Sequence, residues 1–554
     1  MSKFSYIYII SFFICLISVN FTHAQSDPSG QKRITDTYLI TNVTLIPLPG
    51  KILQKQNILI KDGQILSVGG DLPSAAEAFL IPGDSLFAYP GFIDMANKSG
   101  VRAFSIPDKE ADFDPSNPPD IQAGIHPHID VLDLYNPAHS QIADWRKNGF
   151  TVAHKVPMGQ GMLPGTTGLV VYGAPESNTI IRKDVALYAK FSTVGGMYPG
   201  TNLGVMAKFR NLFENARLQS RHQVIFASNQ GIKIPGSNPV LQSLIPVVEK
   251  NKPLFFEINS DLEARRAITI QREQGVSLIL SGINEGTQLV SAIKESGAGV
   301  VLSLHLPDEN NQEFSDDVQQ SERTEKIEKI KIAYLNTLKA AGEYENAGIP
   351  FAFTTKHLGK DKFFDNIRLM LKNGLSNDAA LAALTVNPAK MLGIENLTGE
   401  IAPGKLANII LTTDTLFNDD SQIKYVIANG YVFEYPLKKP SKNGKEEDSY
   451  WEYDTKTAAG SSAGFFEISY QSGATTGKIT YDDPQGKGKM TSPLHDLKVT
   501  SNRIAFTFVV KTALEDLTIS VEGDVSDNFL TGTMRIGDYE SFPFNATKTA
   551  KPQQ

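Results

Sequence analysis

The chain has 554 residues, and its 60 Asp and Glu residues outnumber its 53 Lys and Arg residues, so the formal net charge is −7. Hydrophobic residues make up 41% of the chain and charged residues 20%, which is typical of folded globular proteins. This composition excludes fibrous and disordered proteins. An acidic chain with no basic block outside one short polar segment is also not expected to bind nucleic acid.

The first 24 residues have the pattern of a secretory signal peptide, with Lys3 before a short apolar run and small side chains near Ala24. The run is shorter than the about 20 residues that a membrane-spanning helix needs. We therefore expect export to the periplasm or the extracellular space and no membrane span. Cys15, the only cysteine, lies in this segment, so the mature chain is expected to contain no disulfide, thiolate nucleophile or cysteine metal ligand.

Two segments far apart in the sequence each predict a β-hairpin, one within residues 38–70 and one within residues 405–435. Asp62-Gly63 and Asn429-Gly430 each separate two short apolar runs. Asp-Gly and Asn-Gly favour the tight turns that join hairpin strands. The two hairpin segments bracket a long region of different character.

In that region, from about 89 to 395, apolar strands alternate with helical stretches. The candidate strands are Phe150–Val156, Leu254–Ile258, Ser277–Leu280, Gly299–Leu304 and Pro350–Thr354. Such alternation predicts βαβ units with parallel strands. The length fits an α/β (β/α)8 TIM-type barrel of about 250 residues plus insertions. A doubly wound open sheet is the alternative, but no Gly-rich dinucleotide turn follows a first strand.

Beyond the polar segment 441–448, short alternating runs separated by turn residues predict an antiparallel sandwich or small barrel. No cluster of His or carboxylate residues marks this region as catalytic, which favours an accessory or packing role. The expected domains are a signal peptide at 1–24, a small composite β-sandwich from 25–88 and 396–438, a barrel at 89–395, a linker at 439–450 and a C-terminal β domain at 451–554.

Four segments resemble the amidohydrolase superfamily. Tyr89-Pro90-Gly91-Phe92-Ile93-Asp94-Met95-Ala96-Asn97-Lys98 is similar to the opening motif of that family, Pro-Gly-x-Ile-Asp-x-His-x-His. Residues 374–394 resemble its last barrel helix, and residues 399–409 resemble its return into the small β domain. Residues 149–153 and 158–171 resemble the imidazolonepropionase-like branch. The segments follow the order of the family, so the resemblance predicts an amidohydrolase.

The resemblance implies metal-assisted hydrolysis of a non-peptide C–N bond, in which one or two divalent ions activate water and polarise a carbonyl. The positions of the family's ligands hold other residues here: Ala96 and Lys98 on the first strand, Glu257 on the fifth, Ser281-Gly282 on the sixth and Lys356 on the eighth. Only Glu257 offers an electron pair that can coordinate a metal ion, because an ammonium group has no lone pair. We therefore expect no metal and no other cofactor; a divalent metal fits only if other residues supply its ligands.

If the motifs align as described, Lys98, Glu257 and Lys356 project together into the mouth of the barrel. His357 follows Lys356 directly, and the four residues are the candidate catalytic group. One interpretation is a structural Lys–Glu–Lys network that fills the site, and this is the one the residues favour. The other is a pocket for a small anionic or carbonyl-bearing ligand, bound by Lys98, Lys356 and His154.

A second cluster contains His126-Pro127-His128, Asp130 and Asp133. Imidazoles with carboxylates suit Zn²⁺ or Mn²⁺. However, Pro127 favours an extended loop, so a loop cluster that faces solvent is favoured over a metal site.

Three functions stay open. The first is an exported hydrolase of C–N bonds with an atypical site. The second is a non-catalytic relative that binds a small molecule or pairs with a catalytic homologue in a homo- or hetero-oligomer. The third is a protein that acts through its C-terminal β domain and attaches to a surface or glycan. Fold alone does not choose among them, because function depends on the site.

Overall fold

The computed structural model describes residues 37–72, 77–109, 113–173, 179–229, 231–284, 288–306, 320–437, 448–457, 460–471, 474–483, 488–499, 503–512, 516–526, 528–536 and 540–549. The chain divides into two compact units, Met1–Pro436 and Leu437–Gln554. The predicted signal peptide and most of the predicted linker lie outside the described residues. Of the helices described, none is both long and apolar enough to cross a bilayer.

The first unit begins with five strands of one sheet: β1 (Thr37–Leu48), β2 (Lys51–Lys61), β3 (Gln64–Gly69), β4 (Phe79–Pro82) and β5 (Phe87–Pro90). Strands β2 and β3 pair in antiparallel fashion. Asp62 and Gly63 between them have φ values of 51° and 77°. Two positive φ values are what a type I′ turn requires, so the predicted hairpin is confirmed.

The next strands form a four-stranded sheet and the start of a six-stranded one. They are β6 (Phe92–Asn97), β7 (Phe150–Lys155), β8 (Gly165–Thr166), β9 (Gly168–Val171) and β10 (Ile180–Arg182). The four-stranded sheet has the order β10-β9-β7-β6, with β6 and β7 parallel. Helix α1 (Ser140–Lys147) lies between β6 and β7 in the sequence, as in a βαβ unit.

Five parallel strands follow: β11 (Leu187–Lys190), β12 (Leu254–Glu257), β13 (Leu278–Ile283), β14 (Gly299–Ser303) and β15 (Phe351–Thr354). With β8 at one edge they form a six-stranded sheet in the order β15-β14-β13-β12-β11-β8. The helices between and after them are α2 (Asn202–Ser228), α3 (Pro239–Val248), α4 (Asp261–Gln274), α5 (Val290–Ser296), α6 (Gln320–Asn346), α7 (Phe363–Lys372), α8 (Asn377–Leu384) and α9 (Val386–Met391). Within the described residues, Val131–Leu134 and Lys360–Lys362 form 3-10 helices.

Local sequence explains where these elements begin and end. The Ser260 side chain accepts a hydrogen bond from the Glu263 backbone at the start of α4, and Gly275 ends that helix in the left-handed conformation with φ 62°. A Ser N-cap and a Gly at the carboxyl end are the usual boundaries of a helix. These two residues therefore define the ends of α4.

The predicted barrel strands are present, but the described residues form two sheets rather than one closed sheet. The sheets separate between β7 and β11. There β9 runs antiparallel to β7, and β8 runs antiparallel to β11. At the other junction Thr354 Oγ1 donates a hydrogen bond to the Ala96 carbonyl at 2.8 Å, which joins the ends of β15 and β6. One core cluster takes buried side chains from strands of both sheets, among them Ile93, Val152, Phe255, Ile279, Val301 and Ala352.

The chain then returns to the first sheet with β16 (Ile409–Thr412), β17 (Ile423–Ala428) and β18 (Tyr431–Glu434). The sheet has the order β18-β17-β16-β5-β1-β2-β3, and β4 pairs with β1. Asn429 and Gly430 have φ values of 52° and 80°, which confirms the second hairpin. One sheet therefore contains strands from both ends of the first unit.

The second unit is one antiparallel sheet of nine strands: β19 (Ser449–Thr457), β20 (Gly460–Gln471), β21 (Ala474–Asp482), β22 (Lys489–Pro493), β23 (His495–Val499), β24 (Arg503–Lys511), β25 (Asp516–Ser526), β26 (Phe529–Ile536) and β27 (Glu540–Thr549). The order is β22-β21-β20-β19-β27-β26-β25-β24-β23, and β22 also contacts β24, so the sheet nearly closes. Its core includes Trp451, Phe466, Phe506 and Phe544.

Candidate functional site

The candidate site lies where parallel strands end. Glu257 is the last residue of β12, Lys98 directly follows β6, and Lys356 lies two residues after β15. The carboxyl ends of neighbouring parallel strands share one edge, where side chains from several strands converge. The sequence therefore delivers three charged side chains to one place from three separate parts of the chain.

The Glu257 carboxylate joins both lysines. Lys356 Nζ pairs with Oε1, and Lys98 Nζ lies 3.7 Å from Oε2. The Lys98 side chain is 27% exposed, whereas those of Glu257 and Lys356 are 11% and 7% exposed. Glu257 Oε2 is buried and accepts no hydrogen bond from the described residues. The structure thus brings the predicted trio together and leaves Lys98 as its most accessible member.

A third lysine, which the motifs do not single out, belongs to the same cluster. Lys190 ends β11, and its Cα is in register with that of Glu257 on the parallel neighbour β12, so both side chains leave the same face of the sheet. Its Nζ donates a hydrogen bond to the Gly159 carbonyl at 2.6 Å. In the sequence, Lys190 could have been identified by its position at the end of β11, the strand that precedes the strand starting at Leu254.

The charges of the cluster act on one another. Burial, together with the charges of Lys98 and Lys356, lowers the pKa of Lys190 to about 8. Burial also lowers the pKa of Lys356, and Lys98 adds to that shift while Glu257 opposes it. The cluster contains three amines and one carboxylate, so it holds an excess of positive charge. Such a surplus favours an anionic partner.

His357 lies beside this cluster. Its pKa is lowered mainly by burial and then by the charges of Lys356 and Lys98, with Glu257 opposing. Its backbone is in the left-handed region with φ 66°, and its ring centroid lies 6.4 Å from that of His305. A lowered pKa keeps the imidazole neutral at neutral pH, so it can accept or donate a hydrogen bond without adding charge.

His154 has a different environment from the one expected for a ligand-binding residue. It is fully buried, with Nδ1 2.9 Å from the Met95 carbonyl and Nε2 2.6 Å from Thr167 Oγ1. Burial lowers its pKa to about 4. Both ring nitrogens have partners within the chain, so these contacts favour a role in holding β7 against β6.

Another buried network supports the backbone around Lys98. Lys155 is fully buried and donates hydrogen bonds to Asn97 Oδ1 at 2.7 Å and to the Ser99 carbonyl at 2.8 Å. Asn97 in turn donates to Asp94 Oδ2 at 2.9 Å. Burial lowers the pKa of Lys155 to about 7, and the charge of Asp94 opposes the shift. Lys98 lies between two residues that this network holds in place.

The second His and Asp cluster does not form one site. His126 is buried, contrary to the expected solvent-facing loop, and burial lowers its pKa to about 4. Asp130 accepts a hydrogen bond from the Leu132 backbone at 2.8 Å, and Asp133 pairs with Lys183 at 2.8 Å. The two carboxylates therefore serve local turns and a surface ion pair.

The residues of the strand-end cluster do not fit a divalent metal. Among the residues that the structure describes, no group of three or more His, Cys, Asp or Glu side chains is arranged to hold a metal ion. The ammonium groups at Lys98 and Lys356 have no lone pair to donate and repel a cation. The ammonium groups of this cluster donate hydrogen bonds and carry positive charge, so the cluster suits an anion.

Comparison with known proteins identifies relatives of part of the chain. Residues 258–433 match the amidohydrolase family. Adenine deaminase 4 of Rhizobium meliloti (strain 1021) is 36% identical over 66 residues, which span 12% of this chain and 10% of that protein. The shared segment is short, so it relates the two chains only over those residues.

Two solved structures are similar to this chain to different degrees. An amidohydrolase from Thermotoga maritima MSB8 has a TM-score of 0.59 and 20% identity, with 72% of this chain and 100% of that chain covered. A β-aspartyl dipeptidase from Fervidobacterium islandicum AW-1 has a TM-score of 0.43 and 14% identity over 74% of this chain and 99% of its own. The first likeness shows a shared fold, and together with the match of residues 258–433 it supports an amidohydrolase-type fold.

Proposed function

We propose that this chain is a divergent member of the amidohydrolase family whose strand-end site binds a small anionic ligand in place of a divalent metal. The family relationship rests on the match of residues 258–433. The proposed ligand rests on one observation, the pairing of Lys98 and Lys356 with one carboxylate, that of Glu257, with the Lys190 amine near enough for their charges to act on it.

Physical chemistry favours a carboxylate or phosphate as the ligand. Hydrogen bonds between ammonium and anionic oxygen are about twice as strong as neutral ones. Lys98 is exposed enough to reach a ligand from solvent, and Lys190 adds a further donor. An anion would relieve the repulsion among the amines, which Glu257 alone offsets only in part.

This proposal replaces ordinary metal-dependent hydrolysis, because the donor set described above suits no divalent cation. Hydrolysis of a C–N bond by an atypical site stays a prediction from the family resemblance. The imidazolonepropionase-like branch, export by a signal peptide, and pairing with a catalytic homologue are likewise predictions from the sequence.

Calorimetric titration of the purified chain with oxalate and with inorganic phosphate tests the proposal. We expect Lys98→Ala to weaken oxalate binding about tenfold, since a hydrogen bond to a charged group contributes about 1.5–3 kcal/mol. Glu257→Gln is expected to tighten binding, because it removes the competing carboxylate. Lys51→Ala, at an exposed lysine of β2 in the first sheet, is the matched control.

Equal affinity in all four proteins would contradict an anion site at this cluster. Elemental analysis gives a second test. Zinc, manganese or iron retained at near one equivalent after dialysis would mean that other residues supply metal ligands and that the proposal is wrong.

A further inference from the structure

Lys190 differs from the other two lysines of the cluster. Lys98 and Lys356 both pair with Glu257, whereas the hydrogen bond of Lys190 goes to a neutral carbonyl, that of Gly159. It is half-buried and lies close enough to both other amines for their charges to act on it. Partial desolvation beside other cations is the environment that turns a lysine into a nucleophile at neutral pH.

We propose that Lys190 forms an imine with the carbonyl carbon of a small oxo acid whose carboxylate is held by Lys98 and Lys356. The inference rests on the proposed function, because the carboxylate of the oxo acid is the anion that the site binds. It adds a substrate class, aldehydes and ketones that carry a carboxylate, and a covalent step.

We assign the proton transfer in this step to Glu257. Its Cα is in register with that of Lys190 on the neighbouring parallel strand, and its buried Oε2 accepts no hydrogen bond from the described residues. A buried carboxylate oxygen without a hydrogen-bond donor is costly unless a ligand or a reacting group supplies the proton. Oε2 is thus an available proton acceptor on the same face as the amine.

The bonds of the step balance. The neutral Nζ forms a bond to the carbonyl carbon, and the C=O π electrons move to oxygen. Glu257 takes a proton from nitrogen and delivers it to that oxygen, which gives a carbinolamine. The nitrogen lone pair then forms the C=N bond as the C–O bond breaks, and the second proton of the amine passes through Glu257 to the departing oxygen, which leaves as water. No oxidant or reductant is consumed, and the products are the imine and one water molecule.

Reductive trapping tests the proposal on the full chain. The protein is incubated near neutral pH with glyoxylate and sodium cyanoborohydride, and modified lysines are quantified by peptide mass mapping. We expect carboxymethylation of Lys190 about tenfold faster than that of exposed Lys51, because burial and the neighbouring amines lower the pKa of Lys190 and leave more of its amine neutral. This comparison within one protein needs no variant.

Three further trapping experiments test why Lys190 reacts faster. Propionaldehyde, which lacks a carboxylate, is expected to show less preference for Lys190. Lys98→Ala is expected to reduce trapping of glyoxylate at Lys190, and Lys190→Arg is expected to abolish the fast modification while it keeps the positive charge.

Trapping at Lys190 that is no faster than at Lys51 would overturn the inference. Equal preference for propionaldehyde and glyoxylate would overturn the assignment of oxo acids. Oxalate forms no imine, so its titration reports on the anion site alone: oxalate binding without fast trapping would sink the covalent step and leave the proposed function standing.

Discussion

Lys155 shows what one buried amine does to the pH dependence of this protein. It is fully buried and makes three hydrogen bonds, of which the third, to Tyr172 Oη, is 2.8 Å long. Burial lowers its pKa to about 7. The folded chain therefore loses this proton well before the unfolded chain does, whose lysine pKa is about 10.4.

Stability is consequently expected to rise with pH between about 7 and about 10, because over that range the unfolded chain binds more protons than the folded one. The contribution of Lys155 to the slope is at most about 1.4 kcal/mol per pH unit. The free energy of unfolding is measured by urea denaturation across this range in wild type and in Lys155→Met, whose slope should be smaller. Identical slopes would contradict the lowered pKa.

Glu257 is expected to stabilise the fold as well as to limit anion binding. Glu257→Gln leaves the buried Lys356 without its partner, and breaking a buried pair costs about 3 kcal/mol or more. Glu273→Gln is the matched control, because its pair with Arg210 is exposed and contributes at most about 1 kcal/mol. Urea denaturation measures both losses; equal losses would show that the Glu257 pair is solvated.

At the scale of residues, the motif predicted part of the site. Lys98, Glu257 and Lys356 occupy strand-end positions that the family resemblance marks, so their meeting could be expected. Lys190 belongs to no quoted motif and is found only through its register with Glu257. The burial of His154 also depends on which face of β7 it leaves, and sequence position alone does not determine that.

Among the elements, the approach of β6 to β7 depends on Gly91, just before β6. A Cβ at this position would overlap the side chain of Thr151 on β7. We expect Gly91→Ala to lower the free energy of unfolding by about 1–3 kcal/mol, the usual cost of overpacking. Gly195→Ala is the control, since its Cβ would meet open space.

A double-mutant cycle separates the overlap from other effects. Thr151→Ala should cost less in the Gly91→Ala background than in wild type, with a coupling of about 1 kcal/mol. Additive losses in urea denaturation would show that the two strands relax apart and that the contact is not the cause.

The hairpins and parallel strands could be predicted because their signals are local. Asn429-Gly430 takes the two positive φ values that its turn requires, and the apolar run of β12 lies where it was expected. The antiparallel course of β8 and β9 could not be predicted in the same way. These strands have two and four residues, and their direction depends on which neighbours they meet.

On the scale of the whole molecule, each unit has a hydrophobic core of its own. The core of the second unit contains only residues between Trp451 and Ala546, and its first strand, β19, pairs with its last, β27. A unit with a separate core and paired terminal strands has what independent folding requires.

We therefore expect residues 437–554, produced alone, to unfold cooperatively in urea with the β-sheet circular dichroism of a folded domain. A gradual loss of signal without a transition would contradict this prediction. Residues 37–436 provide the matched fragment for comparison.

The pairing of β5 with β16 means that the first sheet is completed only late in synthesis. During synthesis, β5 leaves the ribosome more than 300 residues before its partner exists, so its unpaired backbone edge waits while the central strands are made. Chains that stop short of residue 409 keep that edge open, and they are the species from which aggregation should start.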